Sequence, residues 1–321
     1  MAAPRVSVVM LTYNNSNTLA RSLESIAAQD YPNYHVVAVD DCSTDDSVAI
    51  AEQFAARYPL IRSFKNPHNF GLVKNFASAD RFIEGEYFLL GGPDDTWAPD
   101  FLSRMVAALE ANPRASAALS SVNSLFDDGE STIFRYSELH RIGVGHPVAL
   151  ATRILNGVLS DGTAASLYNS FFACVARSKH FRATFPDNPT FWYVELQIVL
   201  MLVLLGGLTT VDDVLYTRHR FRASWEERYP DDGYVPLARR PWSRFKSACS
   251  FLVHALRRPE LSFRAKLAVP VIFLEAILFQ SLRPALGSFL RRALPDRFLQ
   301  KVRALVYKFV SSPKGEPHER S

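Results

Sequence analysis

Two adjacent carboxylates, Asp94 and Asp95, stand in the run Gly91-Gly92-Pro93-Asp94-Asp95-Thr96-Trp97. Neighbouring carboxylates repel, so holding both at the end of an apolar stretch is costly unless a cation or hydrogen bonds offset the charge. Hard oxygen ligands of this kind suit Mg2+ or Mn2+, which bind through one or two carboxylates plus substrate phosphates. A Pro-Asp-Asp turn accounts for the same residues without any ligand. A second pair, Asp40-Asp41, runs into Cys42-Ser43-Thr44-Asp45. A carboxylate there accepts from a base N–H and a ribose hydroxyl, as acidic residues do in other nucleotide folds, or it caps the helix that follows. Ser43 or Thr44 is expected to supply the cap, which leaves Asp41 for a ligand. Thr12-Tyr13-Asn14 is a third polar cluster after an apolar run.

The periodicity of the chain supplies elements to position these clusters. Val6–Leu11 is apolar apart from Ser7, as a buried parallel strand is. Leu19, Leu23, Ile26 and Ala27 follow at helical spacing. Val36–Val39, Ile61–Phe64 and Tyr87–Leu90 read as further strands. Helices are expected over Val48–Ala55, Leu72–Ile83 and Pro99–Leu109, the last with Pro99 in its first turn. Strand-helix alternation predicts an α/β fold, a mostly parallel Rossmann-like sheet with helices on both faces. Such sheets bind ligands at the carboxyl ends of their strands, and the three polar clusters all fall at such ends.

VSVVMLTYNNSNTL, VVAVDDCSTDDS, NFGLVKNF and GEYFLLGGPDDTWAPDFL, in this order and spacing, resemble a family 2 glycosyltransferase of the GT-A fold. The resemblance spans residues 5–225. It implies that Thr12, Tyr13 and Asn14 lie near the base and ribose of a nucleotide-sugar donor, with Asp41 on the base. It places Asn69 beside the donor, Lys74 at its phosphates, Asp94 on the sugar or ribose and Asp95 on the metal. Many members carry an acidic residue where this chain has Gly92. The family's acidic pair before an apolar helix falls on Val194-Glu195, which makes Glu195 the catalytic base, with Asp187 the nearest alternative acid. Tyr216-x-x-His219 resembles the closing segment, in which His219 meets the metal or diphosphate and Arg218, Arg220 and Arg222 suit the diphosphate. Acceptor recognition is expected within 160–193, where Tyr168-Asn169 is a candidate.

The activity so implied is inverting transfer of a sugar from a UDP- or dTDP-sugar to a hydroxyl of a glycan or lipid-linked acceptor, with Mg2+ or Mn2+ as cofactor. Synthesis of a bacterial surface polysaccharide is the expected setting. Transfer to a polyprenyl phosphate and non-catalytic binding of a nucleotide-sugar are the alternatives.

The chain has 321 residues, with 36 Lys+Arg against 32 Asp+Glu and 48% hydrophobic positions, a composition that excludes disorder and disulfide mini-proteins. Charge is uneven: residues 240–310 hold 14 Lys/Arg and 3 Asp/Glu, a local +11. This divides the chain into a catalytic domain (1–239), a basic amphipathic helical module (240–310) and a tail (311–321). The module suits an anionic membrane surface, a cap on the catalytic domain or a homo-oligomer contact. It has no recognised nucleic-acid reader motif. Three separated cysteines, the lack of a leader pattern and the lack of a long apolar span predict a cytoplasmic protein, peripheral on the inner face of the plasma membrane.

Overall fold

The computed structural model describes residues 3–136, 151, 171–184, 194–221, 241–263, 265–267 and 269–270, without the side chains of 73, 171, 194–196 and 241–248. β1 (Val6–Thr12) is buried along its whole length, as its apolar run requires. α1 (Leu19–Ala27) buries Leu19, Leu23 and Ile26, one face of a helix. β2 (Tyr34–Asp40), α2 (Ser47–Arg57), β3 (Ile61–Lys65), α3 (Leu72–Ser78) and β4 (Tyr87–Gly91) repeat the alternation. A two-residue strand, β5 (Thr96–Trp97), precedes α4 (Phe101–Ala111). The sheet is completed by β6 (Ala117–Phe126), β7 (Ser131–Phe134), β8 (Cys174–Arg177) and β9 (Leu208–Arg220). Short α5 (Ser178–Arg182) and apolar α6 (Val194–Gly206) lie between the last two strands, and α7 (Pro241–Arg257) follows.

All nine strands among the described residues belong to one sheet, ordered β3-β2-β1-β4-β8-β6-β9-β5, with β7 on β6. β3, β2, β1 and β4 pair in parallel. β8 runs against both β4 and β6, so β6 and its parallel neighbour β9 share the direction of β1. The expected mostly parallel α/β sheet is therefore present, with β5, β7 and β8 as the reversed strands.

Three local expectations are corrected. The helix from Leu72 stops at Ser78, whose hydroxyl donates back to the Asn75 carbonyl at 2.7 Å, and continues only as a 3-10 turn over Ala79–Phe82. α4 starts at Phe101, and Pro99 lies before it. Ala98 N–H donates to the Leu215 carbonyl and the Pro99 carbonyl accepts from Asp30 N–H, which straps this dipeptide to β9 and to the α1–β2 connection. Neither Ser43 nor Thr44 caps α2: its N-cap is Asp46, which makes no side-chain cap bond, and the Ser47 N–H donates to Asp45 Oδ1 at 3.0 Å. Burial raises the Asp45 pKa, but hydrogen bonds from Ser47 and Ser16 outweigh it and leave the carboxyl below its usual range.

The described part of the basic module packs on the body. Phe251, Ala255, Leu261, Ala265 and Val269 are buried in the common core. The His254 ring pairs with the Ala183 carbonyl at 3.0 Å. Val253, Leu256, Phe263 and Leu267 stay exposed, Phe263 at 76%. Among the described residues no helix is long and apolar enough to cross a membrane.

The end of α6 is fitted closely to β6. The Ser116 hydroxyl reaches the carbonyls of Leu202 and Gly207 at 2.5 and 2.8 Å. A Cβ on Gly206 would lie 2.3 Å from the Arg114 carbonyl oxygen and 3.0 Å from the Ser116 nitrogen, both backbone atoms. Gly206→Ala is thus expected to destabilise the protein by about 2 kcal/mol, the scale of overpacking. A lower urea midpoint at unchanged slope is the expected reading; an unchanged midpoint would show that α6 shifts freely.

Candidate functional site

The carboxyl ends of β1, β2 and β4 form one rim, and side chains tie the loops beyond them together. Asn14 takes a left-handed backbone (φ 53°), tolerable for Asn. Its N–H donates to Ser43 Oγ at 2.9 Å, and its Oδ1 accepts from Thr44 N–H at 2.9 Å. Thr12 is buried, and its hydroxyl donates to Asn15 Oδ1, which also accepts from Tyr13 N–H. Asn15 N–H in turn donates to Ser47 Oγ at 2.8 Å. Asp40 is buried and accepts from both the N–H and the hydroxyl of Ser43. The β1 and β2 loops are one cross-linked unit.

Asp41 is 2% exposed and organises the next loop. Its Oδ1 accepts from Asn66 Nδ2 at 2.7 Å and Phe70 N–H at 3.0 Å, and its Oδ2 from Gly71 N–H at 3.0 Å. A carboxylate has about four lone-pair positions, so the three donors among the described residues leave one acceptor position. Asn66 is the hub behind it: buried, bonded to Asn75 Oδ1 through Nδ2 and receiving the Arg81 guanidinium at 2.8 Å on Oδ1. Asn69 closes a local turn, accepting from Gly71 N–H at 2.7 Å. Gly71, at φ 74°, needs the freedom of glycine to start α3, and Lys74 is exposed in that helix's first turn.

Asp95 is 3% exposed at the end of β4. β9 runs beside β5 with Trp97 opposite Tyr216 and Thr96 opposite Thr217. This pairing delivers two donors to the Asp95 carboxylate: the Tyr216 hydroxyl to Oδ2, and His219 N–H to Oδ1 at 3.1 Å. Burial and then the charge of Asp94 push the Asp95 pKa up to about 7, opposed by Arg218 and by the bonds from Tyr216 and His219. Burial and the Asp95 charge raise the Tyr216 hydroxyl well above its usual pKa, so it stays a donor. The His219 ring stands 3.3 Å from Thr96 Oγ1, and burial followed by Arg21 lowers its pKa against the opposing pull of Asp94. Arg21 on α1 donates to the Asp94 carbonyl at 3.0 Å.

The structure thus brings together Thr12, Tyr13, Asn14 and Asp41 at two adjacent strand ends, and Asp94, Asp95 and His219 at the β4 end. The side chain of Glu195 lies outside the described residues, although its backbone opens α6. Asp187, Tyr168, Asn169 and Arg222 lie outside them altogether. Asn15, Asn66, Arg21 and the hydroxyl of Tyr216 were not among the expected site groups. Only the Asn-rich stretch 14–17 and the Leu215-Tyr216 strand hinted at two of them.

Among the described residues no group of three or more His, Cys, Asp or Glu side chains is arranged to hold a metal alone. The donor chemistry nevertheless fits a divalent cation that takes its other ligands from phosphates. Asp95 is fixed, acidic and buried beside a second carboxylate, and each of its oxygens, with one in-chain donor, keeps a further lone pair.

Residues 7–143 match the family model of glycosyl transferase family 2. EpsE of Bacillus subtilis (strain 168), provisionally described as a glycosyltransferase, is 38% identical over 110 residues, 34% of this chain and 40% of that protein. The succinoglycan biosynthesis protein ExoO of Rhizobium meliloti (strain 1021) is 31% identical over 140 residues, 43% of this chain and 39% of its own. The chain therefore spans about two fifths of the length of these relatives. Residues 1–349 of TarS from S. aureus, solved with UDP-GlcNAc, superpose with a TM-score of 0.64 at 19% identity, over 95% of this chain and 86% of that one. That likeness is one of fold, and the fold is GT-A.

Proposed function

We propose that this chain, whose residues 7–143 match the family model of glycosyl transferase family 2, transfers a sugar from a nucleotide-diphosphate donor to an acceptor hydroxyl. One observation carries the reading. Polar loops at the ends of β1, β2 and β4 are cross-tied on a single rim, with an acidic pair at the β4 end. The switch from mostly solvated turns to a buried hydrogen-bonded network is what a ligand rim needs and what isolated turns do not.

In this reading the last acceptor position of Asp41 receives a base N–H, while Thr12, Tyr13 and Asn14 border the base and ribose. Asn69 and Lys74 lie on the donor side of the same rim, and Asp94 meets the sugar or ribose. Asp95 holds a divalent cation, with the His219 imidazole as the proposed nitrogen ligand. When bound, the cation offsets charge on the leaving diphosphate. Glu195 takes the proton of the acceptor hydroxyl, which attacks the anomeric carbon from the face opposite the nucleotide, so the anomeric centre inverts. The exposed Val253, Leu256, Phe263 and Leu267, beside exposed Arg257, favour a lipid-linked acceptor presented at an anionic membrane surface. Relatives described in succinoglycan and colanic acid biosynthesis support a role in surface polysaccharide assembly.

Calorimetric titration of UDP and dTDP, each with and without Mn2+, tests the donor site. Binding of one nucleotide, tightened by Mn2+, is the expected result. If neither nucleotide binds under any condition, the rim is not a donor site.

A further inference from the structure

We propose that Tyr216 is a positioning residue for this site: it sets the direction of the Asp95 carboxylate, and Gly92 leaves the space that this direction needs. The inference rests on the donor-site reading and deepens it.

Three observations converge on one carboxylate. First, the Tyr216 hydroxyl donates to Asp95 Oδ2 while His219 N–H donates to Oδ1, so the two oxygens have different, non-interchangeable partners. A side chain so held at both oxygens does not rotate without breaking a charged hydrogen bond. Second, Tyr216 itself is locked. It is 1% exposed, its ring packs on Trp97 at 5.8 Å between centroids, and its backbone pairs with Trp97 across the β5–β9 ladder. A hydroxyl on so constrained a ring has a defined place, which a flexible donor or a water molecule would not have. Third, a Cβ on Gly92 would lie 2.4 Å from Asp95 Oδ2 and 3.2 Å from its Cγ. The carboxylate is folded back over the strand end into volume that only a glycine leaves open.

Tyr216 does not touch a substrate in this account. It acts through Asp95, much as outer partners of metal ligands orient them elsewhere. The arrangement also explains why β9, which begins more than a hundred residues after Asp95, ends beside it: the strand delivers the hydroxyl and the amide together.

The test uses the full chain and Mn2+ as the probe, read by the electron paramagnetic resonance of free Mn2+ in the presence of UDP. Tyr216→Phe removes one oxygen and keeps the ring packing. It is expected to weaken Mn2+ binding about tenfold to a hundredfold, the range for loss of an outer-shell partner. UDP binding measured without metal is expected to stay within about twofold of wild type, since one oxygen remote from the base is lost. Gly92→Ala, whose added Cβ displaces the same carboxylate, is expected to reproduce the pattern even if Tyr216→Phe proves poorly folded. A thermal midpoint for each variant separates the two roles, because a purely structural Tyr216 would lower the midpoint and leave Mn2+ affinity untouched. Wild-type Mn2+ affinity in both variants would overturn the proposal while leaving the donor site intact. Failure of the wild type itself to bind Mn2+ or UDP would overturn both.

Discussion

Asp95→Asn is expected to abolish most transfer activity while making the protein harder to unfold. Asparagine keeps the shape and can still pair with both neighbours, its carbonyl accepting from His219 N–H and its amide donating to the Tyr216 hydroxyl oxygen. It offers no charge to a cation, and loss of one preorganised electrostatic group costs about a hundredfold to a thousandfold in kcat/KM. The stability gain follows from burial. In the folded chain the Asp95 pKa is raised to about 7 from an ordinary 3.8. Between those values the folded state holds a proton that the unfolded state has released, so stability falls as pH rises through the window and the full penalty stands above it. Asparagine never ionises and escapes that penalty, on the order of 2 kcal/mol or more at pH 8. Urea midpoints at pH 5 and pH 8 are expected to show the variant ahead of wild type, with the gap wider at pH 8. Mn2+ with UDP is expected to raise the wild type and leave the variant unmoved. A variant that retains activity would remove Asp95 from the proposed mechanism.

The second large effect runs against the family pattern. Many family 2 members carry an acidic residue where Gly92 stands, which makes Gly92→Asp look like a repair. The structure argues for the opposite outcome. Any side chain at 92 starts with a Cβ 2.4 Å from Asp95 Oδ2. That oxygen is the far end of a side chain, so the carboxylate gives way rather than the backbone, and it then leaves the Tyr216 hydroxyl. A third carboxylate beside Asp94 and Asp95 adds repulsion that burial magnifies. Gly92→Asp is therefore expected to lower kcat/KM by about a hundredfold or more, the scale of a misplaced electrostatic group. The same assay that scores Asp95→Asn checks it, with circular dichroism to confirm the fold. A gain in activity or in Mn2+ affinity would mean that the strand end rearranges to accept the new ligand.

Much of the α/β frame was legible because buried parallel strands are written as apolar runs. Val6–Thr12, Tyr34–Asp40 and Tyr87–Gly91 differ from their expected spans by only a few residues. The rim was legible for the same reason, since polar clusters at the ends of such runs have few places to go. What escaped was decided by tertiary contact. β5 has two residues, too few for any periodicity, yet its pairing with β9 builds the Asp95 pocket. Asn66 reads as an ordinary loop residue before Pro67, and its role appears only once Asp41, Asn75 and Arg81 surround it. The Ser43 hydroxyl does not cap α2 because it is committed to Asp40, and the Ser47 N–H at the start of that helix turns to Asp45 instead. The steric meaning of Gly92 could not be read from its neighbours in the chain, because it depends on how far Asp95 folds back.

The bond between Tyr216 and Asp95 joins residues 121 positions apart. Closing so long a loop has an entropic cost that local strand-helix units avoid, so this contact belongs to the late steps of folding. During synthesis the loops of β1, β2 and β4 emerge and pair well before β9 has left the ribosome. A nascent chain therefore ties the loops of the rim together before its Asp95 carboxylate is aimed. If Asp95 holds a cation as proposed, cation affinity is expected to arrive only with β9 and to report completed folding in refolding or truncation experiments.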